Sequence, residues 1–305
     1  MLRYAAIDIG TNSVLLLVAE KDAAGRFVPV VERAEITRLG RGVDKTHTLA
    51  PEAIEDTLRV VQTFAEEARA LGAKDLAVCA TSAARDATNG GVFLEAARQR
   101  ANVEVEIISG EREAQLSYAA THADFGGQEP LVVIDIGGGS TEFIYGDGGE
   151  VTFRHSFDVG SVRLTERFGT DRPRVERLLA DTFSALPPPP AHHRAVGVAG
   201  TVTTLYSILH AVEPYDAARV HGATLSLADV GLLADRLWSQ SLEARKKLPG
   251  LQPKRADVIP CGALILQAAL RALGASGCLV SDRGLRWGLL QERSGGTSYG
   301  REQSE

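Results

Sequence analysis

The apolar and polar positions of the first half of the chain alternate between two periods. Period-two or continuous apolar runs predict strands over Tyr4–Ile9, Val14–Glu20 and Phe27–Ile36, the first two joined by a polar, glycine-containing hairpin turn. Ile54, Leu58, Val61 and Ala65 recur at helical spacing and predict a helix over Pro51–Leu71. Pro51 suits a first helical position and Gly72 suits a stop. A buried strand over Asp75–Ala80 runs into Thr81-Ser82 and a helix. A strand over Val103–Ile108 and a helix beginning near Glu111 follow.

The series then starts again. Leu131–Ile136, Phe143–Gly146 and Val151–Val159 read as three strands, Arg174–Ala185 as a helix, and Ala195–Ala199 as a strand entering Gly200-Thr201 and another helix. Asp8-Ile9-Gly10 and Asp135-Ile136-Gly137 lie 127 residues apart. A repeat of that length is a duplicated domain, not a solenoid. The expected division is 1–124 and 125–294, with 285–294 free to return to the first domain and 295–305 a disordered tail.

Each copy places an aspartate and a glycine- and hydroxyl-rich turn at the end of a buried strand. Glycine lets the backbone approach phosphate oxygens and take positive φ, and successive N–H groups form anion-binding nests. Gly10, Thr11, Asn12 and Ser13 in the first copy, and Gly137, Gly138, Gly139, Ser140 and Thr141 in the second, are therefore candidate phosphate contacts. Asp8 and Asp135 are candidate ligands for a hard cation. Gly200-Thr201, opening a helix after a buried strand, offers N–H groups to a further phosphate. Arg85 and Asn89, four residues apart, would share a helix face, and the Arg85 fork suits phosphate. Glu113 reads as a first-turn glutamate of its helix, and the Gly110–Glu113 spacing also fits a capping pattern. Arg255, Arg283 and Arg286 fit either a basic track or surface ion pairs.

Composition narrows the classes. The 305 residues suit two domains, and 44% hydrophobic with 24% charged residues is ordinary for a globular chain. A net charge of −6 argues against a general nucleic-acid binder. Cys79, Cys261 and Cys278 show no metal or redox spacing, which fits buried thiols in a reducing cytosol. No apolar stretch reads as a signal peptide or a membrane span, so a cytoplasmic location is expected.

The strings AIDIGTNS (6–13), ATSAARDATNG (80–90), ISGEREA (108–114), VIDIGGGSTE (133–142), VAGTVTTL (198–205) and GLRWG (284–288) resemble, in order, the exopolyphosphatase / guanosine pentaphosphate phosphohydrolase family. The resemblance implies an α/β fold of two duplicated actin-like (ribonuclease H-like) domains with an interdomain active-site cleft. It implies Mg²⁺-dependent hydrolysis of the terminal phosphoanhydride of inorganic polyphosphate or of guanosine pentaphosphate, and a homodimer. It assigns catalysis to Glu113, Asp135 and Glu142, with Asp8, Asp135 and Glu142 as metal ligands. The family's acid in the GLRWG segment is here Trp287, read as a packing residue, and the extra C-terminal domain of longer members is not expected. An exopolyphosphatase is the leading expectation. The alternatives are a guanosine pentaphosphate 5′-phosphohydrolase, an actin-like kinase, and a non-enzymatic polyphosphate or alarmone sensor.

Overall fold

The computed structural model describes residues 2–295. Apart from Gly295, the tail expected over 295–305 lies outside the described residues. The chain forms two compact units: the chain up to Ala120 with the segment from Leu285, and Thr121–Gly284.

In the first unit β1 (Arg3–Ile9), β2 (Ser13–Lys21) and β3 (Phe27–Ile36) form an antiparallel meander. The short α1 (Val43–Thr46) precedes α2 (Pro51–Ala70). Pro51 occupies the start of α2 after an extended Ala50, and Gly72 at φ +75° ends the turn behind it. β4 (Ala73–Ala80) pairs parallel with β1, followed by α3 (Ser82–Asp86), α4 (Gly90–Ala101), β5 (Val105–Ile107) and α5 (Gly110–Phe125). The strand order is β3-β2-β1-β4-β5.

Alternation along β1 sends Ala5, Ile7 and Ile9 into a core with Leu58, Val61 and Phe64 of α2 and Phe93 of α4. Ala6 faces the other way, into a core with Leu116 of α5 and Trp287, Leu289 and Leu290. Asp8 lies two residues beyond Ala6, on the α5 face of the strand. Trp287 is 3% exposed within that core, the packing role expected of it.

The second unit repeats the plan. β6 (Leu131–Ile136), β7 (Thr141–Asp147) and β8 (Glu150–Phe157) form the meander, and α6 (Ser161–Phe168) and α7 (Arg172–Phe183) follow. β9 (Arg194–Val198) pairs parallel with β6 and enters α8 (Ala199–His210). Then come α9 (Ala217–Val220), β10 (Thr224–Ser226), α10 (Leu227–Ser239), α11 (Leu242–Arg245), α12 (Ile259–Ala272) and β11 (Gly277–Val280). The last helix, α13 (Leu285–Arg293), belongs to the first unit. The strand order β10-β11-β9-β6-β7-β8 contains the first unit's order, with β10 added at the edge. This is the duplicated α/β arrangement expected from the repeat, with the ribonuclease H-like plan that the resemblance implies. Among the described residues, no helix is long and apolar enough to cross a membrane.

Candidate active site

The two Asp-x-Gly turns close in the same way. The Gly10 N–H donates to the Ser13 carbonyl at 2.9 Å, and the Gly137 N–H donates to the Ser140 carbonyl at 3.0 Å. Neither glycine takes positive φ, contrary to the expectation. A side chain at either would press on the carbonyl that closes the turn, 3.3 Å from its Cβ in both copies. The N–H groups of Thr11, Asn12, Gly138 and Gly139 donate to no acceptor among the described residues, so each turn presents a pair of donors. In the first turn the carbonyls are spent: Thr11 accepts from Gly40, and Asn12 from Thr37 and Arg38. Thr11 and Asn12 are buried, and neither atom of the Asn12 amide meets a partner. Such a buried, unsatisfied amide costs about 1–3 kcal/mol, a cost that a bound phosphate or its water would offset.

Glu113 lies in the first turn of α5. The Glu113 N–H donates to the Ser109 carbonyl, and the Ser109 hydroxyl accepts from the Arg112 N–H at 3.2 Å, so Ser109 caps the helix. The Glu113 carboxylate lies 3.5 Å from Arg85 Nη1. Arg85 Nη1 also donates to the Ile108 carbonyl at 2.7 Å, leaving Nε and Nη2 without an acceptor among the described residues. Burial pushes the Cys79 thiol well above its usual pKa, and the nearby Asp8 and Glu113 carboxylates add to the effect. Asp8 and Glu113 thus surround one buried, inert thiol opposite Asp8 in the β1–β4 register. Glu111 is exposed, as expected.

Asn89 is not placed beside Arg85. α3 ends at Asp86, Ala87 is extended, and Asn89 sits at the start of α4. Its amide oxygen accepts from Leu49 N–H at 2.8 Å and its amide nitrogen donates to Leu49 carbonyl at 3.0 Å. The residue ties a loop, and the expected shared helix face does not exist because Ala87 breaks the helix.

In the second unit Asp135 and Glu142 are direct register partners across β6 and β7. Opposed residues of an antiparallel pair share a face, so the two carboxylates point the same way. Both are buried, and Ser156 on β8 donates to Glu142 Oε1 at 2.7 Å. The glycine turn beside them is held from behind by α6. Ser161, Val162 and Arg163 donate their N–H groups to the Gly137 and Gly138 carbonyls, and Arg163 Nε donates to Gly139 carbonyl at 2.7 Å. Gly160 lies so close to Gly138 that any side chain would overlap it.

Ser140 is buried in the turn. Thr141 departs from its expected role: it is fully buried and its hydroxyl donates to the Val159 carbonyl at 2.6 Å. That hydroxyl fastens the turn to the loop before α6 and is not presented to a ligand. Sequence reasoning missed Ser156, Ser161 and Arg163; the Gly160-Ser161 pair after a strand was the available signal of a helix start.

Gly200 and Thr201 lie in the first turn of α8, which has no capping side chain. Ala199, ahead of them, takes φ +69°, a left-handed conformation that is uncommon without glycine and marks a constrained turn. A methyl group on Gly200 would lie 2.5 Å from Arg255 Nη1, so the guanidinium covers the helix start. The Arg255 side chain makes no hydrogen bond or ion pair among the described residues, and burial lowers its pKa from the usual arginine value. An unpaired guanidinium over open helix N–H groups is an anion site by charge and geometry. Its two companions in the expected track are spent: Arg283 pairs with Asp124 at 2.8 Å, and Arg286 donates to the Leu16 carbonyl at 2.8 Å.

A magnesium ion takes oxygen ligands, keeps several waters, and is commonly bound by one or two carboxylates plus substrate phosphates. The facing pair Asp135 and Glu142, beside open turn N–H groups, fits that donor set. In the first unit Asp8 faces Leu15, so that register supplies a single carboxylate.

Comparison with known proteins gives the family of the chain. The profile of the Ppx/GppA phosphatase family matches residues 17–295. The chain is 37% identical over 291 residues to a Mycobacterium tuberculosis protein named exopolyphosphatase 2, covering 89% of this chain and 91% of that protein. A solved Ppx/GppA family member from Aquifex aeolicus superposes with TM-score 0.82 at 31% identity, covering 98% of this chain and 99% of that one. A solved exopolyphosphatase from Cytophaga hutchinsonii superposes with TM-score 0.86 at 25% identity, covering 97% and 99%.

Proposed function

We propose that this chain, which belongs to the Ppx/GppA phosphatase family, is an exopolyphosphatase that hydrolyses the terminal phosphoanhydride of inorganic polyphosphate and releases orthophosphate. The observation that carries the reading is the buried, facing pair Asp135 and Glu142 beside a turn with open N–H groups. Phosphoryl transfer to water needs a positioned base and compensation of charge on the non-bridging oxygens.

The N–H groups of Thr11, Asn12, Gly138 and Gly139, the free edge of Arg85, and Arg255 over Gly200 and Thr201 supply donors for those oxygens. Glu113 orients the attacking water and accepts its proton, with Arg85 holding the carboxylate in place. Asp135 and Glu142 would hold Mg²⁺, with Asp8 as the further ligand that the family resemblance assigns. The bound ion would neutralise charge developing on the phosphoryl oxygens. Ser156 fixes one Glu142 oxygen, so the carboxylate is oriented before substrate arrives. A homodimer is proposed on the family resemblance alone.

Guanosine pentaphosphate is the second reading, because its terminal phosphoanhydride presents the same chemistry and the family bears both names. The test is orthophosphate release with Mg²⁺ from polyphosphate and from guanosine pentaphosphate, side by side. The proposal expects faster release per enzyme from polyphosphate. Release confined to the nucleotide would move the function to that substrate while keeping the site. Release from neither would reject hydrolysis.

A further inference from the structure

The segment 240–258 joins α10 to α12 and carries five basic side chains (Arg245, Lys246, Lys247, Lys254, Arg255) against two acidic ones (Glu243, Asp257), in a chain of net charge −6. Its course is fixed. Leu248 and Leu251 are buried in the core of the second unit, and the Gly250 N–H donates to Glu213 Oε2 at 3.3 Å. Gly250, at φ +78°, presses against the Ser207 carbonyl of α8, where no side chain would fit. The segment therefore lies along α8, and its C-terminal end brings Arg255 over Gly200.

Arg245, at the other end, repeats the features of Arg255. It is half-buried, its Nε is shielded from water with no acceptor, and its side chain makes no hydrogen bond or ion pair among the described residues. Burial lowers its pKa, with Asp257 and Cys261 acting in the opposite sense. Cys261 is in the first turn of α12, and the adjoining Gly262 packs on Thr201, where a methyl group would meet Thr201 Cγ2 at 2.6 Å. The Arg255 guanidinium thus lies over the first turn of α8, against which the first turn of α12 packs, and Arg245 feels the charge of groups at that turn. Leaving charge-bearing N–H groups shielded and unanswered is costly. It occurs here at Arg245 Nε, at the end of the basic segment away from Arg255.

We propose that Arg245, with the exposed Lys247 beside it, is a second phosphate site that holds the distal phosphates of a linear polyphosphate. The inference rests on the exopolyphosphatase reading for the identity of the chain that reaches the site. A linear polyanion can occupy Arg255 and Arg245 at once; a short one reaches only the first. Binding at Arg245 therefore adds affinity that grows with chain length, by linking one contact to another.

The experiment uses full-length Glu113→Gln protein, which does not consume its ligand, with and without Arg245→Ala. Dissociation constants are measured by calorimetry for tripolyphosphate, a polyphosphate of about 50 units, guanosine pentaphosphate and a single-stranded DNA oligonucleotide. Loss of one charge-assisted contact is expected to raise the constant for the long polyphosphate about 10-fold, and to reduce its dependence on log salt by about one unit. The rise for tripolyphosphate and for the nucleotide is expected to be smaller. Arg245→Gln, which keeps the volume and loses the charge, should reproduce the effect with an unchanged melting temperature.

Equal rises for all ligands, or no rise for the long chain, would overturn the proposal. An equal rise for DNA would show general polyanion attraction and overturn it as well. Orthophosphate release by the unmodified chain is read in parallel. Length-dependent binding without release rejects the exopolyphosphatase reading and leaves the Arg245 site standing. Release with no effect of Arg245 does the reverse.

Discussion

Asp135 and Glu142 oppose each other across β6 and β7, whereas the same register in the first unit sets Asp8 against Leu15. The duplicated turns are therefore alike in backbone and unlike in charge. Both can present N–H donors to phosphate, but only the second places two carboxylates on one face.

That asymmetry predicts unequal mutational effects. Glu142→Gln should lower kcat at least about 100-fold and raise the Mg²⁺ concentration for half-activity. Ser156→Ala leaves both carboxylates and removes one orienting hydrogen bond, so a smaller loss is expected. Titrations of activity against Mg²⁺ separate the two. An Mg²⁺ midpoint unmoved in Glu142→Gln would remove that residue from the proposed metal site.

Thr141 and Asn89 should behave as structural residues. Thr141→Val strands the Val159 carbonyl, and Asn89→Ala strands both backbone groups of Leu49. Each should destabilise the chain by about 1–3 kcal/mol with KM little changed, as read from thermal melts and initial rates. A large KM effect at unchanged stability would return either residue to the phosphate site.

Gly200→Ala should act through Arg255. The added methyl meets the guanidinium, so the arginine must move away from the start of α8. The expected result is a rise in KM close to that of Arg255→Ala, with the double variant no worse than either single one. Additive effects would show that the two residues act separately.

His221 supplies a pH prediction. Its pKa is lowered by burial first; Asp124, which its Nε2 approaches at 3.6 Å, raises it, Arg283 lowers it and Asp282 raises it. With a folded value below the unfolded one, the group contributes stability above about pH 6.5, and that contribution is lost as pH falls through the folded pKa. His221→Asn should flatten the acid side of the stability profile measured by denaturant melts. An unchanged acid slope would contradict the burial of the neutral ring.

Much of this was legible because the repeat is written in strand ends. Asp-Ile-Gly after an apolar run marks a strand closing into a turn, and two such marks opened the same succession of elements. Strand Leu131–Ile136 and helix α2 stood out because each is long and bounded by a turn residue or by Pro51. α12 did not, because its residues are apolar nearly all round and carry no amphipathic period. β10 and β11, at three and four residues, are too short for alternation to show.

Within the site, the sequence located hydroxyl and amide side chains but not their partners. Thr141 was read as a phosphate donor because Ser and Thr near glycine look the same whether they bind a ligand or tie a loop, and Asn89 because its spacing from Arg85 fits a helix face that Ala87 interrupts. Arg255 was indistinguishable from Arg283 and Arg286 until Asp124 and Leu16 were seen to occupy the latter two. The acidic pair was named by the family resemblance, and it is the β6–β7 register that sets the two residues opposite each other.

The most direct test of the account is orthophosphate release from polyphosphate by the unmodified chain and by Glu113→Ala, with polyphosphate binding measured in both. The account predicts release by the unmodified chain, a loss of at least about 100-fold in kcat in the variant, and binding retained. Release undiminished in Glu113→Ala would contradict the assignment of the water-activating carboxylate and, with it, the mechanism.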